Sequence, residues 1–425
     1  MVKLTEFAII FDNNREVFYP GEEVTGSVVM GLSRPMEMRG IKLIVAGKGY
    51  CHWCDTSGSN DNRQESHYDG NENLFEYQLW IHGGTSVKFQ SEAGQSFHRF
   101  KFNLPVILPS SFEGPYGHIR YLVSAEIDKP WKFNHKTKRP FTVNEIIDTN
   151  LPQYNSLRPS CSNHKQLFCC CRCVVGPLDI EASIDRSAYC PGELIMVTAQ
   201  ARNNTTREMA GMKAHLYKHV DYISTTKKKT CSEKVAEMES PSIPGGQSSI
   251  WQNQPFSIPA TSPSILTSRV IKVWYELTIQ VDESWRSDSL LKLPIIIGTV
   301  PYRSSHGQVV SGFHYINKKS GSAASFTLPN VGFMGYPEIT PPSYAAAAGA
   351  TQTNIGNGGD KYTFGNMNYV PVYTFNQMSV SEAATGTTTS QNPPSVITEQ
   401  PHSYPIINSL PSHRSSANFT PVPLT

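Results

Sequence analysis

The residues of this 425-residue chain best suited to chemistry are cysteines and histidines at short spacings. Cys51 and Cys54 stand in CHWC, and a pair at this spacing can form a redox couple or supply half of a zinc site. A matching second pair is missing, and the strand and helix pattern of a thioredoxin-like site is absent too. We interpret the pair as the start of a polar loop, with a metal or redox role as the alternative.

His215 and His219, in HLYKH, have the spacing of two zinc ligands on a helix but lack the glutamate of that motif. The segment aligns with IKLIVAGKG, which begins at Ile41 and predicts a strand. Residues four apart on a strand lie about 13 Å apart, which is too far for two ligands of one metal. We therefore interpret both histidines as structural.

The chain has nine cysteines, and four of them are crowded into FCCCRC: Cys169, Cys170, Cys171 and Cys173. An odd number in this arrangement favours a reducing compartment over a disulfide framework. The apolar run predicts the first strand of a second domain, with S-acylation or metal capture as alternatives. Because the sequence motifs of serine hydrolases, P-loop proteins and zinc proteases are missing, we predict a non-enzymatic protein with no catalytic residue, cofactor or metal.

A basic run lies between residues 129 and 139, with a tryptophan among it. Its members are Lys129, Lys132, Lys136, Lys138 and Arg139. We interpret this run as the solvated edge of a strand. The alternative is a patch that binds acidic cargo tails or an anionic membrane surface, to which each nearby basic residue adds about 1 kcal/mol of binding free energy. The net charge of the chain is only +2, so we expect no nucleic-acid partner.

The most specific motif is TPPSY, which contains Pro341, Pro342, Ser343 and Tyr344. Proline favours the polyproline II conformation, so little ordering entropy remains to be lost on binding. In a P-P-x-Y ligand the prolines lie in the aromatic groove of a WW domain, and the tyrosine fills an adjacent pocket.

A second, incomplete version of the motif follows in YVPVYTF, at Pro371 and Tyr373. The surrounding sequence is rich in Ser, Thr, Pro, Asn, Gly and Ala, and it lacks the alternation of a strand. We therefore predict that residues 304–425 form a largely disordered tail.

The elements that precede the tail are repeated. YPGEEVTGSVV, near residue 19, returns as YCPGELIMVTA at an offset of 171. A later block repeats at an offset of 154, with the pairs Pro105 and Pro259, Tyr121 and Tyr275, and Pro140 and Pro294. The first copy therefore carries 17 extra residues, and the polar stretch CHWCDTSGSNDNRQESHYDGN predicts an enlarged loop there.

Both repeats predict β-strands. Alternate residues are apolar from Ile119 to Ile127 and from Val273 to Val281, which places one face of each strand against a core. Helical periodicity is scarce, and SEKVAEMES predicts two turns at most. Short strands with regular turns favour β-sandwiches.

Three stretches carry a family resemblance: DKPWKFNHKTKRPFTVNEIIDTNLP, CCCRCVVGPLDIEASIDRSAYCPGE and LKLPIIIGTVP. They resemble the α-arrestins, the arrestin-domain-containing proteins, over about residues 1–300. The resemblance implies an all-β fold of two tandem arrestin-type, immunoglobulin-like sandwiches. The N-terminal sandwich would span 1–147, a linker and first-strand region 148–177, and the C-terminal sandwich 178–303. Each PGE would form the turn before the second strand, where Gly21 and Gly192 relieve backbone strain.

The resemblance also implies an adaptor function. The sandwiches would bind membrane cargo, and PPSY would recruit a WW-containing HECT-type ubiquitin ligase for ubiquitination, endocytosis and protein transport. We expect a cytoplasmic protein recruited to the plasma membrane and endosomes, because MVKLTEFAIIFDNN does not have the pattern of a signal peptide. The alternatives are a thiol-based redox or metabolic regulator, resembling the thioredoxin-interacting branch, and a retromer-like sorting scaffold.

Overall fold

The structure is a computed structural model. It describes residues 4–58, 63–85, 88–155, 158–168, 174–281, 289–303, 314–316, 323–325, 352–356, 363–364 and 367–373. All these ranges belong to the first of two units of the chain, Met1–Ser379, and the second unit is Val380–Thr425.

The first sandwich is built from eleven described strands and a short 3-10 turn at Asp12–Asn14. The strands are β1 (Leu4–Phe11), β2 (Val17–Phe18), β3 (Glu23–Leu32), β4 (Met36–Met38), β5 (Gly40–Ser57), β6 (Gln64–Gly83), β7 (Phe89–Ser91), β8 (Gly94–Asn103), β9 (Phe112–Gly114), β10 (Gly117–Asp128) and β11 (His135–Val143). One sheet has the order β1-β3-β8 and the other the order β2-β11-β10-β5-β6, with β9 on β10; β4 pairs with β7.

The second sandwich follows a one-turn helix, α1 (Pro152–Asn155). Its strands are β12 (Ser160–Phe168), β13 (Val174–Ile184), β14 (Ala188–Tyr189), β15 (Leu194–Asn203), β16 (Met212–Ile223), β17 (Lys228–Glu239), β18 (Ser248–Ser257), β19 (Ile271–Val281) and β20 (Ser289–Ile297). One sheet has the order β12-β13-β15-β18, and the other has the order β14-β20-β19-β16-β17.

The two sandwiches repeat one topology, so the predicted duplication is confirmed. Tyr121 of β10 pairs with Phe141, and Tyr275 of β19 pairs with Ile295, so both partners keep the offset of 154. Each tyrosine is buried, and each hydroxyl donates to a main-chain carbonyl at 2.6 Å, that of Pro109 in the first sandwich and Ser262 in the second. Pro105 and Pro259 also hold equivalent places, since each is the second residue after its strand, β8 or β18.

The Pro-Gly-Glu turns lie where the sequence predicts. Gly21 and Gly192 have φ angles of +84° and +91°, in the left-handed region that favours glycine. The turns lead into β3 and β15, which are interior strands of the sheets β1-β3-β8 and β12-β13-β15-β18. The strained backbone explains why Pro-Gly is repeated.

Two local predictions were wrong. The extra residues of the first repeat do not form an enlarged loop: they lengthen the hairpin, in which β5 has 18 residues and β6 has 20. SEKVAEMES is strand up to Glu239, the last residue of β17, because pairing with β16 along the sheet edge overrides its helical propensity.

The two sandwiches pack closely beside the long hairpin. A side chain at Gly70 of β6 would place its Cβ 2.3 Å from the carbonyl oxygen of Ile223, in the second sandwich. The thiol of Cys51 donates to the same carbonyl at 3.4 Å. Glycine is therefore required for this backbone approach.

Candidate functional site

The PPSY motif lies outside the described residues. Pro341, Pro342, Ser343 and Tyr344 all fall between the described residues 323–325 and 352–356. The described strands of this region are β21 (His314–Ile316), β22 (Ala323–Ser325), β23 (Thr353–Asn354), β24 (Thr363–Phe364) and β25 (Asn368–Tyr369). The ligand role of the motif stays a prediction.

The incomplete second motif packs on the first sandwich. We call Thr363–Phe364 and residues 367–373 the docked tail segment. Its strand β24 adds to the free edge of β11 in parallel, with Thr363 opposite Lys136. Part of the predicted tail thus extends the sheet by β-augmentation, a mode in which main-chain hydrogen bonds supply the contact.

Tyr373 anchors the end of the docked tail segment. Its side chain is 3% exposed, and its hydroxyl donates to the carbonyl of Ser111 at 2.7 Å. Beside it, the side-chain amide of Asn144 donates to the carbonyl of Val372 at 3.0 Å. Pro371 is buried as well. In this position the tyrosine ring is not accessible to a WW domain. An alternation of aromatic and apolar residues in NYVPVY was the signal for this contact, and sequence reasoning missed it.

The basic run is divided by the fold. Lys136 and Lys138 share one face of β11, opposite Glu126 and Ser124 of β10. Arg139 points to the other face, where its guanidinium donates to the carbonyl of Ile9 at 2.9 Å and pairs with Glu16 at 2.8 Å. These contacts give Arg139 a structural role.

The other two lysines belong to the turn between β10 and β11. Lys129 is largely buried, and burial lowers the pKa of its ammonium group, with a smaller effect of Lys132. Lys132 is exposed. Of the basic run, Lys132 is therefore exposed to solvent, and Lys136 and Lys138 are partly exposed.

The turn also displays two aromatic rings. Trp131 is 95% exposed and Phe133 is 76% exposed. They border an open pocket with a volume of about 710 Å³. The pocket is lined by Arg39, Asp128, Lys129, Trp131, Lys132, Phe133 and Asn134. An ion pair of 2.6 Å between Arg39 and Asp128 crosses this pocket. Exposed aromatic rings beside lysines suit an amphipathic partner.

The cysteines of CHWC do not face each other. Cys51 is buried, and burial raises the pKa of its thiol. Cys54 is exposed, because residues three apart on β5 lie on opposite faces. The pair therefore does not form a two-cysteine ligand set. The four cysteines of FCCCRC lie outside the described residues.

The two histidines of HLYKH lie on β16, so the strand prediction is confirmed. His219 stacks on Trp274, with ring centroids 3.9 Å apart. His215 lies 3.7 Å from the carboxylate of Glu237, on β17. Each histidine is therefore engaged with its own neighbours in the sheet.

A buried carboxylate fixes the two sandwiches to each other. Glu72 of β6 is 7% exposed and accepts hydrogen bonds from the hydroxyl of Ser268 at 2.7 Å and the main-chain amide of Arg269 at 2.9 Å. The guanidinium of Arg269 adds an ion pair at 3.1 Å. Sequence reasoning missed Glu72, since a single glutamate in a polar stretch gives no signal of burial.

The class of protein is defined by two tandem sandwiches that share one topology. Residues 7–150 match the family model of the arrestin (or S-antigen) N-terminal domain, and residues 175–302 match that of the arrestin (or S-antigen) C-terminal domain. The chain belongs to the α-arrestins, the arrestin-domain-containing proteins.

Several relatives are similar over most of their length. Arrestin domain-containing protein 17 of Caenorhabditis elegans is 29% identical over 319 residues, 72% of both chains. Human arrestin domain-containing protein 4 is 28% identical over 356 residues, 81% of both chains. Human thioredoxin-interacting protein is 25% identical over 298 residues, 70% of this chain and 75% of that protein. Among the described residues, no helix has the length and apolar character to cross a membrane.

Proposed function

We propose that this chain is a non-enzymatic adaptor that links membrane cargo to a WW-containing, HECT-type ubiquitin ligase. The observation that carries the proposal is the complete Pro341-Pro342-Ser343-Tyr344 sequence in a chain that begins with two arrestin sandwiches. Ubiquitination of the cargo would then direct it to endocytosis and endosomal sorting, with the adaptor recruited to the plasma membrane and endosomes.

The ligase arm depends on one complete motif. While Tyr373 is buried on the first sandwich, Tyr344 belongs to the complete P-P-x-Y ligand. A single short motif buries little surface, so we expect an affinity for one WW domain in the micromolar range, about 10⁻⁶ M or weaker.

The cargo arm uses the turn between β10 and β11. Trp131 and Phe133 supply apolar surface, and Lys132 supplies an exposed positive charge between them. An acidic cargo tail or the anionic lipid around a membrane cargo matches this combination. Of the basic run, the exposed and half-exposed lysines are the candidates for contact, and Arg139 is not.

The ligase arm is tested with the full-length chain and a purified WW domain of a HECT-type ligase. Tyr344→Ala removes the aromatic anchor, so binding measured by calorimetry should fall below detection. Ser343→Ala changes the variable position of the motif and should leave the affinity within about threefold, or about 0.7 kcal/mol. Equal binding by wild type and Tyr344→Ala would overturn the ligase arm.

A thiol-based regulator is the second candidate, and the similarity to thioredoxin-interacting protein favours it. Such a role needs a reachable cysteine, and Cys54 is exposed whereas Cys51 and Cys190 are buried. Thiol trapping with and without reductant separates the two candidates. A mixed disulfide with a partner that is lost in Cys54→Ser supports the regulator; the adaptor needs no reactive thiol.

A further inference from the structure

The outer face of the β5–β6 hairpin brings together side chains that bind metals. Cys54 lies directly opposite His67, and Glu65 lies two cross-strand pairs farther toward the turn, opposite Thr56. Alternation along each strand puts His52 on the same face as Cys54, and Glu65 on the same face as His67. All four side chains are exposed.

The ligand atoms are close to one another. The thiol of Cys54, a carboxylate oxygen of Glu65 and a ring nitrogen of His67 lie within 4.8 Å of one another. Nδ1 of His67 lies 3.4 Å from Nε2 of His52. A tetrahedral zinc ion with bonds of about 2.0–2.3 Å holds its ligand atoms about 3.5 Å apart, so small side-chain rotations bring the ligand atoms of Cys54, Glu65 and His67 to that spacing.

The opposite face of the same hairpin is fixed by packing. Trp53 is 2% exposed and stacks on Tyr68, with ring centroids 5.3 Å apart. Asp55 pairs with Lys227 at 2.6 Å and with Lys229 at 3.5 Å, both from the second sandwich. These contacts hold the register of the two strands, so the exposed face keeps its ligands together without a bound ion.

We propose that Cys54, His67, Glu65 and His52 form a zinc site. A thiolate and two imidazole nitrogens favour Zn²⁺ over Mg²⁺ or Ca²⁺, which prefer oxygen ligands, and the carboxylate completes four-coordination. Binding deprotonates the thiol of Cys54 and releases its proton to solvent. The ion joins the outer ends of β5 and β6, next to the contact between the two sandwiches.

From the sequence, a metal role for CHWC is only the alternative, because a matching second cysteine pair is missing. Cys51 lies on the buried face and takes no part. Two of the other proposed ligands, Glu65 and His67, come from the neighbouring strand, 11 and 13 residues after Cys54 in the sequence. Only the register of the hairpin shows that they lie beside Cys54.

The test is a zinc titration of the reduced, chelator-treated, full-length chain against a chromophoric indicator. Wild type should bind one more equivalent of Zn²⁺ than the double variant Cys54→Ser/His67→Ala, and His52→Ala should bind this equivalent at least tenfold more weakly. His164→Ala is the matched control, since His164 is an exposed strand histidine paired with Asp179 in the second sandwich, and it should bind as wild type does.

Cobalt gives a second readout that does not depend on stoichiometry. Co²⁺ bound by wild type should show a thiolate-to-metal charge-transfer band that is lost or reduced in Cys54→Ser. The substitutions are at exposed positions, and unchanged thermal unfolding of the metal-free variants confirms the fold. The proposal is overturned by equal zinc binding of wild type and the double variant, or by a cobalt spectrum that does not depend on Cys54.

Discussion

At the scale of single residues, the duplication preserves an ion pair that supports each Pro-Gly-Glu turn. Arg15 pairs with Glu22 at 2.6 Å, and Arg186 pairs with Glu193 at 3.0 Å, both related by the offset of 171. The two copies differ in burial. The side chains of the first pair are 41% and 26% exposed, and those of the second are 10% and 2% exposed.

This difference predicts unequal effects of one substitution. Glu193→Ala removes the closer of two carboxylates beside the buried guanidinium of Arg186 and leaves Asp185 at 3.3 Å, so it should lower the free energy of unfolding by about 3 kcal/mol. Glu22→Ala removes a partly solvated pair and should lower it by about 1 kcal/mol. Urea unfolding of the full-length variants measures both, and equal losses would contradict the assignment.

Glu145 predicts a dependence of stability on pH. Burial raises the pKa of this carboxyl to about 7, against a smaller opposing effect of the hydrogen bond from Thr267. Between its unfolded pKa near 4.5 and pH 7, the folded state binds more protons than the unfolded state, so this contribution to stability falls as the pH rises.

A neutral replacement tests this sign. Glu145→Gln cannot ionise, so at pH 8 it should be more stable than wild type by about 3 kcal/mol. At pH 4 the two should be equally stable. Urea midpoints at the two pH values give the comparison, and a wild type that gains stability relative to Glu145→Gln as the pH rises would contradict it.

At the scale of elements, the docked tail segment, which follows PPSY in the sequence, packs on the first sandwich. Its strand β24 occupies the edge of β11 that carries Lys136. A partner that adds a strand to this edge must therefore displace Thr363 and Phe364.

Tyr373 should control this docking. Tyr373→Ala removes a buried ring, so the amides of residues 367–373 should exchange with deuterium at least tenfold faster, which corresponds to about 1.4 kcal/mol of local stability. Tyr373→Phe keeps the ring and loses only the hydrogen bond to Ser111, so its effect should be smaller. Exchange that is the same in all three proteins would show that Tyr373 does not hold the segment.

The strands that alternate clearly could be predicted from the sequence. Ile119 to Ile127 and Val273 to Val281 follow period two, and the repeat offsets fix which strands are equivalent. SEKVAEMES could not be assigned, since an edge strand with charged residues has the local composition of a helix. The extended hairpin was also missed, because polar residues on its exposed face resemble those of a loop.

At the scale of the whole molecule, the two proposed contacts lie on separate parts of the chain. The turn with Trp131 and Lys132 lies on the first sandwich, whereas Tyr344 lies in the region after the second sandwich. Because the proposed cargo and ligase contacts use different residues, we expect that each can be removed without the other. The proposed ligase motif could be read directly from the sequence, but only the fold separated the accessible lysines from the structural Arg139.

Proximity labelling of the full-length chain in cells tests the central claim most directly, because one measurement reports both partners. Wild type should label membrane proteins together with a WW-containing HECT-type ligase. Tyr344→Ala should lose the ligase and keep the membrane proteins, and Ser343→Ala should match wild type. Changing Lys132, Lys136 and Lys138 to Glu should lower the labelling of membrane proteins and keep the ligase. Undiminished labelling of the ligase by Tyr344→Ala, or no membrane proteins labelled by wild type, would contradict the adaptor function.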